Sequence, residues 1–402
     1  MRTSIIRGIA PLLLAAGLAC GTPATASDHL DSPTVIADPR ADIGDLYAWM
    51  DADARRLNLA MTIVGHSLSD RLDYVFHIDS ARHFGHPGAT ITLSCRFPGP
   101  QDADCRLGEI DHAQGDPATS EGVWGARHRF RVYAGLRDDP FFNNVRGTRQ
   151  AYQAAEAALA RGAATDRAGC PAFDAATAGE ILDRWRHTDG GPPQNFLAGW
   201  TPMAIVASID VGAVDRGGPL LAVWAATVGP KGRQIDRAAR PLTGNALLGQ
   251  LQPAEVGDRL KEAYNAATPA DGGRFVGEIE KGLAFYDSFD GHCGNQWLAD
   301  DTAPPTRRYH RLATVLADDR LWVNSASGVC TQLFAVELVA LADERALRGD
   351  CGGRAPTYDA VNIYRSFLVD GTAGSVTDGL TRDEHPPSDT LFPFLVAPGT
   401  GP

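Results

Sequence analysis

Lysine is nearly missing from this chain. Of its 37 basic residues only Lys231, Lys261 and Lys281 are lysine, the other 34 are arginine, and none gather into a basic block. With a formal charge of −12 and no cationic cluster, nucleic acid and anionic membranes are poor partners. No run beyond residue 26 approaches the ~20 apolar residues that cross a bilayer, so no transmembrane segment is expected in the mature protein. Also missing are a C-x-x-C pair, a G-x-S-x-G elbow, an H-E-x-x-H helix, a Walker loop and a G-x-G-x-x-G after a strand. Local signatures of thiol-zinc, serine-hydrolase, zincin and nucleotide chemistry are therefore lacking. Any Ser-His-Asp grouping would have to be made by the fold.

What is present starts at the N-terminus. Residues 1–26 combine Arg2 and Arg7, an apolar run over 9–19, and the small-residue site Ala24-Thr25-Ala26. That layout is a cleavable export signal, and its apolar run is too short to span a membrane. A lipoprotein would use Cys20, but Gly17 stands where a branched aliphatic residue is preferred. Losing Arg2 and Arg7 takes the charge from −12 to −14. The product is expected in the periplasm or outside the cell.

Without Cys20 the cysteines are Cys95, Cys105, Cys170, Cys293, Cys330 and Cys351. An even number in an exported chain predicts disulfides. Cys95 and Cys105 flank the turn-forming stretch FPGPQDAD, which predicts a hairpin staple. Two of Cys293, Cys330 and Cys351 are expected to pair within the C-terminal half.

The chain is longer than one hydrophobic core usually serves, so one large domain with insertions or two packed domains are expected. The stretches IGDLYAWM, RRLNLAMTIVG, RLDYVFHIDS and ATITLSCRF are short, β-branched or aromatic, and separated by Asp, Gly and Pro. Similar stretches at 126–135, 203–211, 219–229 and 321–324 extend the set. Regular short strands of this kind predict an antiparallel sandwich or barrel. Apolar spacing near 3.6 and good helix formers predict helices over 149–163 and 173–187. Further helices are expected over 245–251, 253–267, 273–289, 306–319 and 357–371, the last capped by Thr357. The fold class is thus α+β: a β-sandwich-like N-terminal core over 27–230 with a helical insertion at about 148–188, and a mainly helical part over 231–402 packed on it.

The most distinctive stretch is 27–51, SDHLDSPTVIADPRADIGDLYAWMD. It gathers His29 with Asp28, Asp31, Asp38, Asp42, Asp45 and Asp51, then turns into an apolar strand. Hard cations take six to eight oxygens, which predicts a Ca2+-like site made by His29, Asp31, Asp42 and Asp45. The plainer reading is that these aspartates cap turns and block edge pairing. If cleavage follows Ala26, the new terminus Ser27-Asp28-His29 offers a square-planar nitrogen set suited to Cu2+ or Ni2+. The turn Asp138-Asp139-Pro140-Phe141-Phe142 could line a ligand mouth or pack its loop. His77 and Asp79 share a strand face. Asp383, Glu384 and His385 form a second acidic-histidine group, of consequence if the tail folds back near Asp42.

Five blocks look familiar together: SDHLDSPTVIADPRADIGDLYAW, RVYAGLRDDPFFNN (131–144), FLAGWTPMAIVASID (196–210), KGRQIDRAARPL (231–242) and DGLTRDEHPPSDTLFPFLVAP (378–398). They resemble a bacterial family of exported proteins, domain-of-unknown-function family 4331 (DUF4331). The resemblance runs from about residue 27 to 398. Its usual opening has Arg-Glu-Ala-Pro after the histidine, whereas this chain reads His29-Leu30-Asp31-Ser32-Pro33, with only the His and Pro in register. The resemblance implies export, a β-rich core and an acidic start, and brings no assigned chemistry. The leading expectation is a non-catalytic binding or structural protein with a divalent cation near its N-terminal loop, recognising a small ligand or surface partner. The alternatives are a metal-dependent hydrolase using the same residues, and a copper or nickel handler acting through Ser27-Asp28-His29.

Overall fold

A computed structural model describes residues 30–399, so the expected export signal and Ser27-Asp28-His29 lie outside the described residues. A short helix α1 (Pro33–Ala37), started by Pro33 at a first-turn position, replaces the expected loop. Strands β1 (Ile43–Met50) and β2 (Arg56–Ile63) form a hairpin whose turn is held by Asp51, which accepts N–H bonds from Arg55 and Arg56 at 2.7 and 3.0 Å. Strands β3 (Asp73–Ala81), β4 (Pro87–Gly99), β5 (Asp102–Leu107) and β6 (Asp111–Gly115) meander, and β7 (Val123–Trp124) leads into β8 (Phe130–Leu136). The expected hairpin beyond Cys95 is real. Strand β6 is the mostly polar DHAQG and β7 is only two residues long, so neither shows an alternating signal in the sequence.

The helical insertion is a hairpin of α2 (Val145–Ala160) and α3 (Ala175–Arg186). Asn144 caps α2 by accepting from the Gly147 N–H, and Asp174 caps α3 by accepting from Thr177. Buried Ala151, Ala154, Ala155 and Ala158 give α2 a small-residue face, while α3 buries Ile181 and Trp185. After it come β9 (Met203–Asp210), β10 (Leu220–Gly229) and β11 (Arg233–Ala238), followed by α4 (Thr243–Leu247), α5 (Ala254–Asn265), α6 (Val276–Asp287) and α7 (His310–Ala317). Strand β12 (Leu321–Asn324), α8 (Ala335–Ala342) and α9 (Ala360–Val369) complete the described elements. Helix α9 starts at Ala360 and takes Asp359, not Thr357, as its cap, because Asp359 accepts from Asn362 N–H.

Two antiparallel sheets result, consistent with an α+β sandwich-like fold. One has the order β1-β2-β9-β8-β7, and the other β11-β10-β3-β4-β5-β6. Strands β12 and β11 share one edge of β10, β12 against Leu220–Val223 and β11 against Ala225–Gly229. The C-terminal half therefore completes a sheet as well as supplying helices, and one hydrophobic core runs through both sheets and the helices. Edge strand β1 is buried along its whole length. Its open side is covered at Ala48, which exchanges two backbone bonds with Arg354 at 2.9 and 2.7 Å. An uncovered apolar edge would invite aggregation. Gly353, at φ 62°, permits the approach, since a Cβ there would lie 2.2 Å from the Ala48 carbonyl oxygen.

Three disulfides tie the chain. Cys95–Cys105 staples facing positions of β4 and β5, and Cys330–Cys351 closes a C-terminal loop. Cys293 pairs instead with Cys170, joining the insertion to the segment after α6. Among the described residues no helix is long and apolar enough to cross a membrane.

Candidate functional site

The N-terminal acidic stretch divides on folding. Asp31 and Asp42 come to the same neighbourhood, joined there by Asp236 of β11. Asp42 accepts the Leu30 N–H at 2.7 Å, Asp236 accepts the Ile43 N–H at 2.7 Å, and Asp31 accepts from the Asn265 amide at 3.0 Å. All three carboxylates are buried. Burial, then repulsion from Asp236 and Asp31, raises the Asp42 pKa well above the usual range, and burial pushes Asp31 up to about 6 against the pull of Lys261. The Asp42 Oδ1 atom has no hydrogen-bond partner among the described residues.

Asp45 goes elsewhere. It forms a buried ion pair with Arg354, 2.5 Å long. Asp38 holds Arg40 at the surface. The fourth expected ligand, His29, falls outside the described residues. The expected set of His29, Asp31, Asp42 and Asp45 is thus represented by Asp31 and Asp42 in one place and Asp45 in another.

A different grouping forms where β8 ends. Asp138 and Asp139 leave the strand in opposite directions. Asp139 turns inward, accepting the Tyr47 hydroxyl and the Thr62 hydroxyl, each at 2.6 Å, and the Phe141 N–H at 3.2 Å. Arg354 lies beside this network, with its guanidinium 4.2 Å from the Tyr47 ring centroid and 5.2 Å from that of Phe141. Phe141 and Phe142 are buried, so this turn packs its aromatics inside. Asp139 is therefore fixed by three donors, which in turn fixes the position of its neighbour.

Asp138 faces the C-terminal tail. Its backbone N–H donates to the Val396 carbonyl at 2.9 Å, and its Oδ2 lies 3.2 Å from His385 Nδ1. Asp383 accepts the His385 N–H at 2.8 Å, curling the tail so that the carboxylate and imidazole face Asp138 together. One ligand atom from each of Asp138, Asp383 and His385 lies within 4.8 Å of the others. Asn195, from the loop before β9, steadies the acids by donating to Asp383 at 3.2 Å and to Glu384 at 2.8 Å. Burial raises the Asp138 pKa while His385 lowers it. Asp383 is pushed up to about 7, chiefly by burial and then by the nearby charges of Asp138 and Glu384. Carboxylates crowded in this way are relieved by a proton or a cation, and His385 supplies a nitrogen donor of metal-ligand type.

The acid-histidine group of the tail thus folds back onto Asp138, not onto Asp42. Asn195 carried no sequence signal, because its role depends on a loop conformation set by Asn143 and Leu197, whose N–H groups both donate to its side-chain oxygen. His77 and Asp79 are spoken for within the sheet: His77 stacks on Trp224 with ring centroids 3.8 Å apart, and Asp79 pairs with Arg320 at 3.1 Å. No protein-family model matches the chain, and neither the curated proteins nor the solved structures compared with it include a match.

Proposed function

We propose that this is an exported binding protein of the DUF4331 family that holds a divalent cation between Asp138, Asp383 and His385. The observation that carries the reading is the convergence of one donor atom from each of these side chains within 4.8 Å. Two of the blocks that carry the family resemblance, 131–144 and 378–398, supply all three residues. A ring nitrogen beside two carboxylates suits Zn2+ or Mn2+ better than Ca2+, which prefers an all-oxygen shell. Three disulfides fit an oxidising compartment outside the cytoplasm.

Elemental analysis of the processed protein, followed by titration of the chelated form with zinc, manganese and calcium, tests this. About one Zn2+ or Mn2+ per chain is expected. Asp383→Asn and His385→Ala should each weaken binding by about tenfold or more. Absence of zinc and manganese binding, or binding that these variants leave untouched, refutes the site. Calcium lost on Asp42→Asn would return the cation to the N-terminal acids. Copper bound only when Ser27 is the first residue would assign metal handling to Ser27-Asp28-His29.

A further inference from the structure

Helix α8, AVELVALA, has one polar residue, Glu337, and that side chain is buried in its pair with Arg240. The helix therefore turns no polar face to solvent, and a helix that is apolar all round is ordinarily covered on every side. Here Val336, Val339 and Leu341 instead face a cavity of about 620 Å3. That volume falls within the ~300–1,000 Å3 of small-molecule sites.

The opposite wall is the turn between β3 and β4, residues 82–86. Gly85, at φ 77°, and a 3.2 Å bond from the His86 N–H to the His83 carbonyl close it. The turn lays Phe84 against Trp322, with ring centroids 4.8 Å apart. Together with Ala81, Ala222, Val336 and Leu220 these rings form a second hydrophobic cluster, separate from the main core. Leu220, Val339, Leu341 and Leu347, all half-buried, carry the cluster on to the cavity surface.

The rim is basic. Arg82, His83 and His86 come from the same turn, Arg348 joins from beyond α8, and all four are exposed. Arg82 has no ion-paired carboxylate among the described residues. Arg348 meets Asp343 at 3.7 Å, but both side chains are more than half exposed, so water screens the pair. Asp350, the one acid in the lining, has both oxygens occupied. It accepts the Gly352 N–H at 2.8 Å, and the Thr331 N–H and hydroxyl at 3.1 and 2.6 Å. In a chain carrying −12 overall, an apolar floor under a cationic rim is a local inversion of charge.

We infer that this cavity binds an amphiphilic monocarboxylate of the fatty-acid type, its chain on Phe84, Leu220, Val339 and Leu341 and its carboxylate at Arg82. Each methylene fully covered should tighten binding by about fourfold. The carboxylate supplies the counter-charge that Arg82 lacks, in a geometry the planar guanidinium can match with two hydrogen bonds. The cavity shares no residue with Asp138, Asp383 and His385, so the inference stands apart from the cation there.

Calorimetric titration of the purified protein in a chelator-containing buffer tests it, with acetate, octanoate, decanoate and 1-decanol in separate arms. Saturable one-to-one binding of decanoate is expected, tighter than octanoate by about threefold or more, with no heat from acetate. Arg82→Gln, at an exposed position whose loss leaves the fold intact, should weaken decanoate by about fivefold and leave decanol unchanged. Val339→Glu sets a carboxylate in the path of the chain and should abolish decanoate binding, whereas Arg167→Gln, at a different cavity, should change nothing. No saturable heat with decanoate up to about 1 mM, decanol bound as tightly as decanoate, or unchanged decanoate affinity in Arg82→Gln overturns the inference.

Discussion

Arg354→Met is the most informative single perturbation of this fold. The guanidinium is 2 % exposed and makes a 2.5 Å pair with Asp45, itself 4 % exposed, while also donating to the Leu46 carbonyl at 3.2 Å and the Tyr47 hydroxyl at 3.4 Å. Burial works against its charge, but Asp45 and then Tyr47 outweigh that, so its pKa is raised. Removing it takes the counter-charge from the buried Asp45 carboxylate and removes a cation that favours ionised Asp139. Breaking a buried pair on one side costs about 3–5 kcal/mol. With an unfolding entropy of ~2.1 cal/mol/K per residue, a protein of this size loses about 1.3 °C per kcal/mol, so its Tm should fall by about 4–6 °C. Asp45→Asn alone should also destabilise. The double variant, with neither charge buried, should recover part of the loss, giving a coupling of about 1–3 kcal/mol. Thermal and urea unfolding of the four proteins at pH 7.5 measure it. A single-variant shift below about 1 °C, or strict additivity, would mean that the pair does not join the C-terminal half to β1.

Other perturbations follow from the same geometry. His77 has its pKa depressed to about 4 by burial, against 6.5 when free, so the folded state resists its protonation. Its contribution is fully present above pH 6.5 and is lost as the pH falls towards 4, by at most about 3 kcal/mol; His77→Phe should flatten that limb of a stability–pH curve. Asp42→Asn should raise the Tm at pH 7.5, because above the unfolded pKa of this carboxyl folding has to take up a proton or bury a charge there, and the gain should vanish below about pH 4. A cation bridging Asp31 and Asp42 would reverse the sign. Replacing the pair Cys170 and Cys293 by alanine frees a 123-residue separation, worth about 5 kcal/mol by chain entropy, against about 3 kcal/mol for the 10-residue separation of Cys95 and Cys105. Paired denaturation curves should therefore rank the two losses in that order.

Local pattern made much of the architecture readable. IGDLYAWM is a strand with the expected bounds, and the β-branched runs at β2, β3, β4, β9 and β10 follow. The two insertion helices announce themselves by composition and apolar spacing, although α2 begins at Val145, ahead of its expected start at residue 149. The Cys95–Cys105 staple was visible because its turn lies between the two cysteines. Strand β11 was not visible. RQIDRA alternates poorly, and Asp236 and Arg237 are buried there only because β1 and α5 cover them.

The candidate site belongs to a different class of information. Sequence alone determined the acidic and histidine-bearing segments, the strand periodicity and the cysteines that face each other across the FPGPQDAD turn, since each is a property of neighbouring residues. Tertiary structure decided which segments meet: Asp138 and His385 are 247 residues apart, and Arg354 and Leu46, joined through the guanidinium, 308 apart. Periodicity and composition reach about one secondary-structure element along the chain. Contacts of that span are chosen by sheet order and core packing, and so Asp45 became an ion pair while Asp138 became a candidate ligand.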